Sequence, residues 1–190
     1  DDLLNASRIE RGKMEFLFEE GDLVALAQMA FDQLVPQASM KKVKMVFDKP
    51  NSAYPWVIMD KEKLRQVINN FIDNSIKYTK EGSVTVSLIR DAENLGVRVA
   101  DTGKGFSPDM GPVLFEKYTR GKDSVMHSTG LGLGLNVAKV IVEKHNGKIW
   151  AESKGQGQGS SFCFTVPLHN TIEASSTATL DLTESQNEHK

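Results

Sequence analysis

Asn70, Asn74 and Lys77 recur at i, i+4 and i+7 along DKEKLRQVINNFIDNSIKYTK. In a helix they share one line with Asp73. Carboxamides are poor helix formers, because they compete for backbone hydrogen bonds, and a merely solvated face would more cheaply carry Glu, Lys and Arg. Two neutral oxygen ligands and one cation along a line suit a hydrated Mg²⁺ with attached phosphates. A polar surface face with two incidental asparagines is the other reading of this stretch. A second group is Asp101-Thr102-Gly103-Lys104-Gly105. Period two along LGVRVAD puts Leu95, Val97, Val99 and Asp101 on one side of a strand, so a carboxylate closes an apolar row and needs a donor there. The exocyclic amine of adenine would serve, and Gly103 and Gly105 would let backbone approach a flat ligand. An Asp-Thr-Gly turn whose amides satisfy the carboxylate is the alternative. The third group is Gly130-Leu131-Gly132-Leu133-Gly134-Leu135 at a helix start. Alternate glycines and a helix N-terminus direct amides at anionic oxygens, a phosphate cradle by mechanism. No GKS or GKT follows and no HRD or DFG triplet occurs, which excludes a Walker A loop and the glycine loop of Ser/Thr/Tyr kinases.

The elements that must position these groups follow from periodicity. Leu64, Val67, Ile68, Phe71, Ile72 and Ile76 form the buried stripe of a helix within Asp60–Lys80. Met14–Glu20 reads as a strand with Phe16 and Phe18 on one side. Asp22 caps a helix that ends near Pro36. Val43–Phe47 and Trp56–Met59 are short strands, Gly82–Arg90 and Leu95–Asp101 a pair joined at Asp91–Asn94, and Lys148–Ser153 and Ser161–Val166 another pair around GQGQG. Gly132–Asn146 is a helix ended by His145-Asn146-Gly147. Between Thr102 and Thr129 periodicity fails, the mark of a functional lid or an inserted loop. Within it, FEKYTRG offers Lys117 and Arg120 to a γ-phosphate when the lid closes, with Phe115 docking on the domain at the nucleotide site; a solvated loop with one anchoring aromatic is the plainer account.

Of the 190 residues 39% are hydrophobic and 25% charged, with a net charge of −2. Nothing basic enough for nucleic acid or an anionic membrane is present. A lone cysteine, Cys163, excludes a disulfide framework and reads as a small buried residue. No apolar run reaches the ~20 residues of a membrane span. The histidines at 127, 145, 169 and 189 read as surface residues. HNTIEASSTATLDLTESQNEHK is polar and reads as a disordered tail or linker over 169–190.

Taken in order, Asn70-xxx-Asn74, DTGKG, FEKYTRG, GLGLGL and a GxGS turn before FCFTVP resemble the catalytic and ATP-binding domain of sensor histidine kinases, within the Bergerat-fold ATPase superfamily. The resemblance covers roughly Met14–Leu168. It implies an α+β fold: a two-layer α/β sandwich with a mixed, mainly antiparallel sheet, helices on one face and a flexible ATP lid. It implies ATP and Mg²⁺ as cofactors, with Asn74 holding the metal and Asn70 supporting it, and Lys77 and Tyr78 on phosphate or ribose. Asp101 would read adenine, Gly103 and Gly105 border the base, Gly130, Gly132 and Gly134 with Leu131 and Leu133 hold the phosphates, and Thr165 lie near the adenine. Leu131 stands where this glycine box often carries Thr or Ser. LLNASRIERGK resembles the end of the family's dimerisation hairpin, so residues 1–12 are expected to be its remnant and 13–168 the catalytic domain, lacking the phosphoacceptor histidine. The implied partners are the phosphoacceptor dimerisation domain of the same parent and a response-regulator receiver domain, with no nucleic acid. The piece is expected to be monomeric and its parent a homodimer, cytoplasmic itself although the parent could be membrane-anchored. An ATP-gated conformational module and a degenerate nucleotide-binding scaffold are the competing classes.

Overall fold

A computed structural model describes residues 14–116 and 134–168. The expected remnant helix at 1–12, the segment 117–133 and the tail at 169–190 lie outside the described residues.

The centre is helix α2 (Lys61–Tyr78), flanked by α1 (Leu23–Met40) and α3 (Gly134–Lys144). The α2 stripe Leu64, Val67, Ile68, Phe71, Ile72 and Ile76 is fully buried, each side chain worth about 1.5–3 kcal/mol of transfer free energy. The Phe71 ring packs at a tilt against Phe162 and Phe164, with centroids 5.6 and 6.2 Å away. These phenylalanines come from β7 (Ser160–Pro167). Together with β2 (Val43–Asp48), β4 (Gly82–Arg90), β5 (Asn94–Asp101) and β6 (Lys148–Glu152), β7 forms one sheet in the order β2-β4-β5-β7-β6. Only β2–β4 is parallel; the other pairs are antiparallel. Alternation puts Val84, Val86, Leu95, Val97, Val99, Phe162, Phe164 and Val166 under the helices. The result is the expected mixed, mainly antiparallel sheet with helices on one face.

Two local expectations need correction, and two others gain detail. Met14–Glu20 is not one strand: β1 is Glu19–Gly21, paired with β3 (Val57–Met59) in a separate two-stranded sheet. Residues 14–18 instead use their polar groups elsewhere, with the Leu17 amide donating to Asp60 Oδ2 at 2.9 Å. The first helix runs past Pro36 to Met40. Proline removes one i→i−4 bond, but the extra turn buries Ala38. The two short strands β2 and β3 join different sheets. At the end of α3, within the expected His145-Asn146-Gly147 stop, the left-handed residue is Asn146, φ 54°, and the Gly147 amide reaches back to the Val142 carbonyl at 2.9 Å.

His145 is not on the surface. It is 4% exposed, its Nε2 accepts from the Asp60 amide at 2.9 Å and its Nδ1 lies 2.7 Å from the Ile141 carbonyl. The imidazole is therefore neutral with its proton on Nδ1. Burial lowers its pKa, with the Ile141 carbonyl and Asp60 opposing. Phe16 and Phe18 stack on each other at 5.8 Å and present their faces or edges to the His145 ring.

Candidate nucleotide site

Asp60 caps α2 through the Lys63 amide, and the far end of the helix meets the end of the central strand β5, where Ser75 donates to Asp101. Asn70 and Asn74 are half-buried and joined, Asn74 Nδ2 donating to Asn70 Oδ1 at 3.0 Å. That bond uses the Asn74 amide group as donor and leaves its carboxamide oxygen outside the pair. One carboxamide oxygen beside open solvent fits Mg²⁺, which keeps most of its waters and takes its remaining ligands from phosphates. Asp73 faces away and accepts from Gln37 Nε2 of α1 at 2.5 Å. Lys77 lies over the Tyr78 ring, 5.7 Å from its centroid, and Lys104 over the same ring at 4.9 Å. Lys104 is a second cation that sequence spacing did not single out.

The floor of the site is Asp101, 8% exposed at the end of β5. Its Oδ1 accepts from the Gly103 amide at 2.8 Å and the Ser160 amide at 3.3 Å. Its Oδ2 accepts from Ser160 Oγ at 2.6 Å and Ser75 Oγ at 3.3 Å. Local donors thus satisfy the carboxylate, the alternative that the sequence left open. Two donors on each oxygen take up the carboxylate's roughly four acceptor sites, so a ligand donor would replace one of the two long bonds, from the Ser160 amide or Ser75 Oγ at 3.3 Å. Neither serine was a predicted site residue. Ser75 interrupts the apolar stripe with a fully buried hydroxyl, which was the available signal; Ser160 is the serine of the GxGS turn.

Thr165 is not brought to this cluster. Ser160 pairs with Asp101, whereas Thr165 pairs with Gly96, five residues along the strand or about 16 Å away at ~3.3 Å per residue. Because five is odd, its side chain is on the opposite face of the sheet.

The glycines have more specific duties than expected. A Cβ on Gly103 would stand 2.5 Å from the Tyr78 carbonyl, 2.8 Å from Thr79 Oγ1 and 2.9 Å from Asp101 Oδ1. Gly105 has φ +61° and packs against Gly155, Gly159 and Ser153. The GQGQG turn staples the DTGKG loop: the Gly159 amide donates to the Gly103 carbonyl at 3.0 Å and the Gly157 amide to the Lys104 carbonyl at 2.6 Å. At the head of α3, a Cβ on Gly134 would collide with the Asn70 carboxamide. That contact brings the last glycine of the predicted cradle against the predicted metal-binding helix.

Phe115 is 3% exposed. Its carbonyl accepts from Asn136 Nδ2 at 3.1 Å, and the adjacent Glu116 pairs with Lys139 Nζ at 2.7 Å, an ion pair that raises the lysine's pKa. The start of the irregular stretch is therefore docked on α3, through a 3₁₀ turn at Pro108–Val113. A cavity of about 290 Å³ beside it is lined by Gly111, Pro112, Phe115, Lys139, Ile149, Trp150 and Ala151, and contains neither Asp101 nor the asparagines. Lys117, Arg120, Gly130, Leu131, Gly132 and Leu133 lie outside the described residues. Cys163 is 2% exposed and burial pushes its thiol up to about 11, as expected of a packing residue.

Residues 59–170 match the family described as histidine kinase-, DNA gyrase B- and HSP90-like ATPase. The chain belongs to this ATPase family. The adaptive-response sensory kinase SasA of Crocosphaera subtropica is 36% identical over 175 residues, covering 88% of this chain and 44% of the relative. Full-length ShkA, solved in complex with AMPPNP, superposes with a TM-score of 0.76 at 26% identity, over 87% of this chain and 34% of that one. The catalytic domain of histidine kinase ThkA gives 0.69 at 24% identity, over 81% of this chain and 96% of that domain, a likeness of fold. The chain spans less than half the length of the curated relatives it matches. It is an ATP-binding catalytic domain of the histidine-kinase kind. Among the described residues no helix is long and apolar enough to cross a membrane, and no cluster of three His, Cys, Asp or Glu side chains could hold a metal.

Proposed function

We propose that this domain binds ATP with Mg²⁺ and presents the γ-phosphate to a histidine outside the chain, for relay to a response-regulator aspartate. The observation that carries the reading is the convergence on one site of the caged Asp101 carboxylate, the Asn70–Asn74 pair and the head of α3. Asp101 reads the adenine amine by accepting from it in place of one of its two 3.3 Å bonds, and Gly103 and Gly105 hold the loop that borders the base. Asn74 holds the metal with Asn70 orienting it. Lys77 and Tyr78 meet phosphate or ribose. Gly130, Gly132 and Gly134, with Leu131 and Leu133, offer backbone amides to the phosphates, and Lys117 and Arg120 neutralise the γ-phosphate. Bound Mg²⁺ supplies charge neutralisation across the phosphates, and catalysis is mostly positioning.

The acceptor belongs to a dimerisation domain of the same parent, to which residues 1–12 would connect, and 169–190 form a tail or linker. On this reading the piece is monomeric, its parent is a homodimer and the domain works in the cytoplasm.

Calorimetry with ATP and ADP, with and without Mg²⁺, tests the first half. A phosphohistidine assay with an acceptor-hairpin fragment added in trans tests the second. Mg²⁺-dependent ATP binding followed by acid-labile phosphate on the hairpin is expected. Binding without transfer to any hairpin would instead favour a conformational ATPase, and no binding would leave a scaffold.

A further inference from the structure

Only two buried side-chain polar atoms among the described residues have no hydrogen-bond partner, Asn69 Oδ1 and Thr79 Oγ1. The second is beside the nucleotide site. Thr79 is 2% exposed and caps the C-terminus of α2, its amide donating to the Ser75 carbonyl at 3.1 Å. Ser75 and Thr79 are one helical turn apart, so both hydroxyls come off the same side of the helix end. The Ser75 hydroxyl is spent on Asp101. The Thr79 side chain turns its methyl towards Gly82 and its hydroxyl towards Gly103, on the same side of that glycine as Asp101 Oδ1. A buried hydroxyl without a partner calls for one, from a ligand or an ordered water.

We propose that Thr79 is a second base-reading residue of the site, donating to adenine N1 directly or through one water while Asp101 accepts from the exocyclic amine. The inference rests on the ATP-binding reading above. Its chemistry follows from the donor and acceptor order on the two bases. Adenine presents an amine donor next to a ring-nitrogen acceptor, and carboxylate oxygens next to a hydroxyl present the matching acceptor and donor. Guanine presents the reverse, a carbonyl acceptor next to an N–H donor. Against it the carboxylate would face an oxygen. The pair therefore selects adenine by sign as well as by shape, and a site whose buried polar groups lose their partners rejects the wrong ligand strongly.

The experiment is calorimetric titration of ATP and of 1-deaza-ATP, whose N1 is replaced by C–H, into the unmodified chain, Thr79→Val and Thr79→Ser. Thr79→Val should raise the ATP Kd roughly three- to ten-fold, the range of one net hydrogen bond, and leave the 1-deaza-ATP Kd within about two-fold. Thr79→Ser should bind ATP like the unmodified chain, with the ligand-free Tm of each variant confirming that it folds. A change of less than two-fold for ATP in Thr79→Val overturns the inference, as does an equal loss for both nucleotides, which would mean a distorted pocket. Absence of ATP binding in the unmodified chain would remove the underlying reading and this inference with it. If Thr79→Val fails to fold, the ATP to 1-deaza-ATP ratio of the unmodified chain decides: a ratio near one overturns the proposal, and a clear preference for ATP that Thr79→Ser retains supports it.

Discussion

The two ends of the site are built differently. At the base end, Asp101 is buried and held by two backbone amides and two serine hydroxyls before any ligand arrives, and the glycine turn at 155–159 fastens the adjoining loop. At the phosphate end, Asn70, Asn74 and Lys77 are half-buried on one helix face, tied by a single mutual carboxamide bond. The difference matches the ligands. A flat, weakly charged base is recognised by groups whose geometry must be set in advance, since any rearrangement would be drawn from a small binding energy. A polyphosphate with a metal brings its own strong field and its own water, and a permanently buried cluster of charge there would be costly without it.

Four predictions sharpen or break this contrast. Asp101→Asn should have the largest effect on binding. The amide can keep its oxygen towards the Gly103 and Ser160 amides and turn its NH₂ to the serine hydroxyls, which can accept. The fold should survive with about 1–2 kcal/mol lost, while ATP affinity falls about 100-fold because a charged acceptor is gone. If calorimetry showed nearly unchanged affinity, the base end would not be where this carboxylate is. Asn74→Ala should weaken Mg·ATP by about ten-fold or more, in line with the loss of a metal-site residue, with Tm hardly moved. Titrations without Mg²⁺ should show little difference between this variant and the unmodified chain, and an equal loss in both conditions would remove Asn74 from the metal.

Gly134→Ala should act more gently, through Asn70. The added methyl displaces the end of a flexible side chain, so ATP affinity should drop about five-fold, roughly the value of one net hydrogen bond. The fold itself should be little changed, because Gly134 is the first residue of α3, where the glycine penalty of a helix interior applies only in part. Binding that held steady would show that the two helices meet without consequence for the ligand.

The smallest effect at the site, and a distinct one on the fold, belongs to His145. Its pKa is lowered by burial, so the unfolded chain takes up the proton first as pH falls. The stability contributed by the neutral ring is fully present above the unfolded pKa near 6.5 and is lost progressively below it. Protonation would also place a donor against the Asp60 amide. Denaturant unfolding at pH 7.5 and 5.5 should show this loss, and His145→Gln, which cannot gain a proton there, should show less of it. Equal pH dependence in both would mean that the carboxylates and not this imidazole set the slope.

Helices and strands whose apolar residues follow one period were legible from sequence: α2, β4, β5 and the layer they build depend on local spacing alone. So were the types of group the site needs, because carboxamides on a helix and a carboxylate ending an apolar strand are costly unless something uses them. Only the tertiary structure decided who their neighbours are. Ser75 and Thr79 were ordinary residues in a helix until its end met Asp101, Ser160 came to the site by strand register where Thr165 did not, and His145 lost its water when residues 14–18 folded over it. Period and composition are properties of neighbours in the chain. Register, burial and hydrogen-bond partnership are properties of segments separated by tens of residues, such as Asp101 and Ser160, and are settled when the sheet and helices pack.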